Sequence, residues 1–192
     1  EKIKEYLETK LVTASPYYTA VTNLVSNAGV VATDVSGVGT AREYLAACEY
    51  GEDKGIFGYG TSGSDTAITN LVSNTGVVAT DVSGVGTARD LLAACGYGGD
   101  KGIFGFGDDG SVTDATNLVS NTGVVASDVT GVGTARQGLA ATQYGGDKGI
   151  FGYGDDGSVA SMTNLVSNAG VVASDVAGVG SARRRLAACS FN

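Results

Sequence analysis

Thr116–Arg136 reads TNLVSNTGVVASDVTGVGTAR, and nearly the same wording returns at Thr22–Arg42, Thr69–Arg89 and Thr163–Arg183. The asparagine of TNLV falls at positions 23, 70, 117 and 164, a period of 47 residues without slippage. Repeated units of about 40–50 residues build propeller blades or paired-helix solenoids, because each unit buries its apolar face only against a neighbour. The composition separates these two. The chain of 192 residues holds 31 glycines and one proline, Pro16, with no histidine or tryptophan. Glycine at that density breaks helices. An all-β array is expected.

Within one copy the pattern predicts four short strands. TNLVS (116–120) is the first. Asn121-Thr122-Gly123 turns the chain, asparagine opening the turn and glycine supplying a positive φ. VVASD (124–128) is the second. A glycine-rich loop, VTGVGTA, leads to the third, QGLAATQY (137–144). GGDK (145–148) makes a hairpin turn, and GIFGYG (149–154) is the fourth strand. Short strands at even spacing, each bounded by turn residues, suit four-stranded blades.

The stretch GTARxxLAAxxYGGDKGIFGYG resembles the kelch blade, in which an arginine precedes an apolar strand, a hairpin and an aromatic strand ending in glycines. The resemblance runs from Thr22 onward. It departs from kelch where Gly-Tyr-Gly or Gly-Phe-Gly replaces the usual glycine pair, and in the missing tryptophan. The wording is also similar to tandem kelch-like repeats in structural or adhesion proteins of marine phages and related viruses. The resemblance implies a β-propeller of four kelch-like, four-stranded blades over residues 10–192. Ile3, Tyr6 and Leu7 share one face at i, i+3, i+4 spacing, which predicts a short amphipathic helix at 1–9. DKGIFG occurs only three times, at Lys54, Lys101 and Lys148. Lys10–Ser15 (KLVTAS) is therefore expected to supply the missing strand and close the ring by pairing the two chain ends. Two chains sharing an eight-bladed ring is the competing arrangement.

The charge bounds the partners. A net charge of −8 repels phosphate, so no nucleic-acid partner is expected. No apolar run is long enough to span a bilayer, so no membrane partner is expected either. The three cysteines, Cys48, Cys95 and Cys189, share one repeat position with Thr142. That alternation suits a small buried side chain rather than a disulfide framework.

No catalytic set stands out. There is no histidine for general base work, and no cysteine has a base partner. GYGTSG (58–63), GFGDDG (105–110) and GYGDDG (152–157) fit G-x-G-x-x-G but run toward a strand, not the helix a dinucleotide site needs. Asp108-Asp109-Gly110 and Asp155-Asp156-Gly157 offer too few oxygens for calcium. The chain is expected to be no enzyme and to need no cofactor or metal.

The repeat sorts the remaining residues. Asp34, Asp81, Asp128 and Asp175 end the second strand of each copy, and Arg42, Arg89, Arg136 and Arg183 begin the third, eight residues later. These invariant residues are expected to pair across that one loop by charge-assisted hydrogen bonds. A ring of acids able to hold a cation is the alternative. Varied positions are free for recognition: Tyr44, Leu91, Gln137, Arg184 and Arg185 are the candidate ligand or partner contacts, presented on the rim of a rigid scaffold. The tyrosines Tyr50, Tyr97 and Tyr144 either stack on sugars or pack blade to blade. The functional expectation is a structural or adhesion module, viral, extracellular or on a virion surface. Its partner would be a protein or a cell-surface glycan, with assembly into a homo-oligomer or a larger particle left open. A glycan-binding lectin with equivalent sites between blades, and an engineered consensus scaffold, are the other two readings.

Overall fold

The computed structural model describes residues 18–26 and 28–190. The expected helix at 1–9 and the closing strand at 10–15 lie outside them. Among the described residues the chain is all-β and repeats one sheet three times. β1 (Ala46–Tyr50), β2 (Lys54–Gly58) and β3 (Thr69–Val72) form the first antiparallel sheet. β4 (Ala93–Tyr97), β5 (Lys101–Gly105) and β6 (Thr116–Val119) form the second. β7 (Ala140–Tyr144), β8 (Lys148–Asp155) and β9 (Val159–Val166) form the third. In each, the KGIFG strand lies in the middle and pairs with both neighbours.

The four-bladed propeller of four-stranded blades is therefore corrected. The described residues contain three three-stranded sheets and no closed sheet. Three copies of KGIFG give three sheets, and among the described residues the end copies have no middle strand for their outer strands to pair with. The first TNLV copy, Thr22–Val25, accordingly makes only isolated bridges, and the last LAAC copy, Leu186–Cys189, is not a strand. The VVASD segment fails as a regular strand for a local reason. It meets TNLV at two bridges, Thr116–Val129 and Val119–Val125, between which the register slips by one residue. An extra residue of this kind breaks the ladder. The Asn117 side chain enters the gap and donates to the Ala126 carbonyl at 3.0 Å.

The sheets stack in series, the first on the second and the second on the third. Ile56 and Tyr59 of the first sheet share a core with Phe104 and Val119 of the second. Ile103 and Phe106 of the second share the next core with Phe151 and Val166 of the third. The middle strand thus sends isoleucine to one neighbouring sheet and phenylalanine to the other, as alternation on a strand dictates. Edge-to-face ring pairs lock the stack, Tyr59 on Phe104 and Phe106 on Phe151, both with centroids 5.2 Å apart. Tyr50 and Tyr97 are buried, their rings lying over Gly123 and Gly170 of the following copy. They pack sheet to sheet. Cys95 is buried, Cys48 half-buried and Cys189 exposed. Burial pushes the Cys95 thiol up to about 12 and the Cys48 thiol higher still. Neither is a reactive thiolate.

Candidate functional site

Arg89 is fully buried. Its Nε donates to the Phe106 carbonyl at 2.9 Å, Nη1 to the Thr87 carbonyl at 3.1 Å, and Nη2 to Asn117 Oδ1 at 2.7 Å. Its guanidinium lies over the Tyr59 ring, 4.3 Å from the centroid. Arg136 repeats the arrangement with Tyr153, Thr134, Asn164 and the Phe106 ring. The rigid fork of arginine fits this set of divergent acceptors.

The acid partner differs from the sequence expectation. Arg89 lies 3.8 Å from Asp128, and Arg136 lies 3.7 Å from Asp175. Each arginine thus meets the aspartate that ends the following TNLV copy, not the one eight residues before it. The reason is where the sheet begins. The folded unit starts at GTAR and ends at VVASD, so Arg89 and Asp128 open and close the same sheet. Asp128 also accepts from the Thr87 backbone N–H at 2.9 Å, from its hydroxyl at 2.7 Å and from Asn117 Nδ2 at 2.8 Å. Burial raises the Asp128 pKa, but the Thr87 and Asn117 hydrogen bonds and the Arg89 charge outweigh it and leave it lowered. Asp81 and Asp175 follow the same pattern.

The two ends of the series are different. Arg42 reaches Asn70 Oδ1 at 2.5 Å, yet its buried Nε and Nη1 have no partner among the described residues. Burial lowers its pKa against the pull of Asp81. It borders a cavity of about 280 Å³ with Phe57, Leu45 and Val38. Arg183 is exposed, lies over Tyr153 and donates to its own Ser181 carbonyl. Asp34 is held by Asn23 and meets no arginine among the described residues.

Three of the varied residues, Tyr44, Leu91 and Arg185, fall on one line with Gly138. Leu91 N–H donates to the Tyr44 carbonyl, Gly138 N–H to the Leu91 carbonyl, and Arg185 N–H to the Gly138 carbonyl, at 3.1, 2.8 and 2.7 Å. All four have positive φ: 54° at Tyr44, 51° at Leu91, 60° at Gly138 and 55° at Arg185. Tyr44, Leu91 and Gly138 of this spine each stand just ahead of the first strand of a sheet. Only Gly138 is the residue type such a backbone favours. Gly138→Ala is predicted to cost about 1 kcal/mol. A Cβ there would meet nothing nearer than 3.5 Å, so backbone strain alone would set the loss in a urea midpoint.

A second column flanks the spine. Glu43, Asp90, Gln137 and Arg184 occupy equivalent positions, and the first three each form an isolated bridge just before a sheet. Arg184 ion-pairs with Asp155. Burial, then Asp65, Asp108 and Glu43, pushes the Asp90 carboxyl up to about 6. Its folded pKa lies above the unfolded value of about 3.9, so ionising it opposes folding. This group's contribution becomes less favourable as pH rises from about 4 through 6. Asp90→Asn is predicted to stabilise the chain by about 1 kcal/mol at pH 7, after allowance for its partial exposure. The gain would vanish near pH 4, which urea melts at both pH values would reveal.

Sequence reasoning missed Asn70, Asn117 and Asn164, which carry the arginine contacts. It also missed Thr40, Thr87 and Thr134, which cap the aspartates. Their signal was present, since the asparagine recurs in every copy and the threonine gives way only to Ser181. Among the described residues no group of three or more His, Cys, Asp or Glu side chains could hold a metal ion. No helix among them is long and apolar enough to cross a membrane.

These features define an all-β repeat protein, built from stacked sheets that one arginine-centred contact joins in each unit. Comparison with known proteins finds no matching family model and no matching curated protein.

Proposed function

We propose that the chain is a non-enzymatic structural or adhesion module that works through side chains presented along its spine. The observation that carries this reading is the row Tyr44, Leu91 and Arg185. Three large side chains occupy positive-φ positions where the third copy has glycine, Gly138. Each such residue costs of order 1 kcal/mol or more, and strain of this kind is a motive for a functional hypothesis. Tyr59 and Phe106 share the conformation, but both are buried beneath an arginine, which offsets the strain. Tyr44 is 47% exposed and Arg185 is exposed, so packing does not offset theirs.

The partner is a protein or cell-surface glycan. The likeness to phage repeats supports a place on a virion surface. A glycan-binding lectin is the second reading, favoured by the exposed Tyr44 ring, which can stack on a sugar. The test is a glycan array with the wild type and the triple variant Tyr44→Gly, Leu91→Gly and Arg185→Gly. The proposal expects the variant to melt no lower than wild type and to lose array binding. A stable variant that binds as wild type does would remove the row from the reading. Silence of the wild type would remove the glycan arm.

A further inference from the structure

The stack is polar, and its two ends carry complementary halves of the contact that it repeats inside. At one end Asn23 Nδ2 donates to the Ala32 carbonyl at 3.0 Å and to Asp34 Oδ1 at 2.8 Å. Asn117 makes the same two bonds at the same two distances. The acceptor half is therefore already assembled. In the inner copies Asn70, Asn117 and Asn164 each receive an arginine Nη2, and Asp81, Asp128 and Asp175 each receive a threonine. Asn23 and Asp34 receive neither among the described residues. At the other end stand Ser181 and Arg183, the equivalents of those donors, both exposed and without such acceptors among the described residues.

Other features of the ends agree. The spine terminates on the Arg185 carbonyl at one end and the Tyr44 N–H at the other, and every internal link joins this same donor to this same acceptor. Cys48 packs on Gly102 and Cys95 on Gly149, while Cys189 is exposed and Gly55 has no such cysteine against it. Phe57 is only half-buried at the first sheet, where Phe104 and Phe151 are fully buried. The charges are opposed as well. Arg183, Arg184 and Arg185 cluster at one end, and Asp34 and Glu43 lie at the other.

We infer that the chain associates head to tail with a second copy of itself, Ser181 and Arg183 of one docking on Asn23 and Asp34 of the next. The contact extends the series already built three times within the chain. It is heterologous, so it generates open filaments or rings of several chains rather than a two-fold dimer. This goes beyond the partner-binding role of the spine and does not depend on it.

The experiment is light scattering across a concentration series on wild type, Arg183→Asp, Asp34→Arg and the double variant. Both positions are exposed, and a thermal melt of each variant confirms folding. Wild type is expected to grow in mass with concentration. Each single charge reversal should weaken association at least about tenfold. The double variant should recover it, and an equimolar mixture of the two single variants should regain growth as alternating chains, in which the native pair and the swapped pair take turns. A wild type that remains a monomer up to about 1 mM, weaker than any specific contact of this size, would overturn the inference. So would association that neither reversal changes.

Discussion

Arg89→Ala is expected to lower the unfolding free energy by about 3–5 kcal/mol, the range for removing one partner of a buried charged network. The side chain is wholly buried and satisfies acceptors on three segments: the Phe106 carbonyl, the Thr87 carbonyl and Asn117. It also covers the Tyr59 ring of the preceding sheet. Alanine leaves those acceptors unpaired and opens a void between two sheets. Arg89→Lys is expected to recover little, because an ammonium cannot reproduce a planar fork. Arg183→Ala is the control within the same chain. Its guanidinium is exposed and keeps only the Ser181 carbonyl and the Tyr153 ring, so its loss should cost no more than about 1 kcal/mol. Urea unfolding at micromolar protein would compare the three. Equal losses at 89 and 183 would show that the network does not hold the sheets.

The contrast between Arg89 and Arg183 shows what could be read from the sequence. Both sit in the same words, so their repeat position is plain while their environment is not. The period, the turn at Asn121–Gly123 and the hairpin at Gly145–Lys148 follow from local chemistry, and each stands where expected. The unit boundary does not follow, because a tandem repeat reads the same wherever it is cut. Cutting at TNLV assigned Asp81 to Arg89, whereas folding starts the unit at GTAR and gives Arg89 to Asp128. The fourth strand failed for another reason. VVASD has strand-forming residues, but Asn117 competes for the Ala126 carbonyl with a side-chain bond that propensity does not count. The candidate contacts Tyr44, Leu91 and Arg185 were found only as varied positions. That they share one hydrogen-bonded line at positive φ depends on how successive sheets stack.

Neighbouring sheets approach closely at several glycines, Gly102 among them, and Gly102→Ala is expected to cost about 1–3 kcal/mol, as overpacking does. A Cβ on Gly102 would stand 2.5 Å from Cys48 Sγ and 3.1 Å from the Glu49 carbonyl oxygen. Gly149 meets Cys95 and the Gly96 carbonyl in the same way, at 2.6 and 3.2 Å. Glycine in the middle strand therefore admits the cysteine of the preceding sheet. This also explains why that position holds small residues, Cys or Thr, throughout. Gly55 occupies the same place in the first sheet, but a Cβ there would find nothing closer than 3.6 Å, the Val72 side chain. Gly55→Ala should be neutral, or should stabilise by about 0.5 kcal/mol through lower unfolded-state entropy. Combining Gly102→Ala with Cys48→Ala separates the two close contacts. If the sulfur is the obstacle, the pair should cost less than the sum of the singles by at least about 0.5 kcal/mol. Strict additivity would place the limit on the Glu49 carbonyl, so that backbone rather than side chain sets how closely the sheets approach.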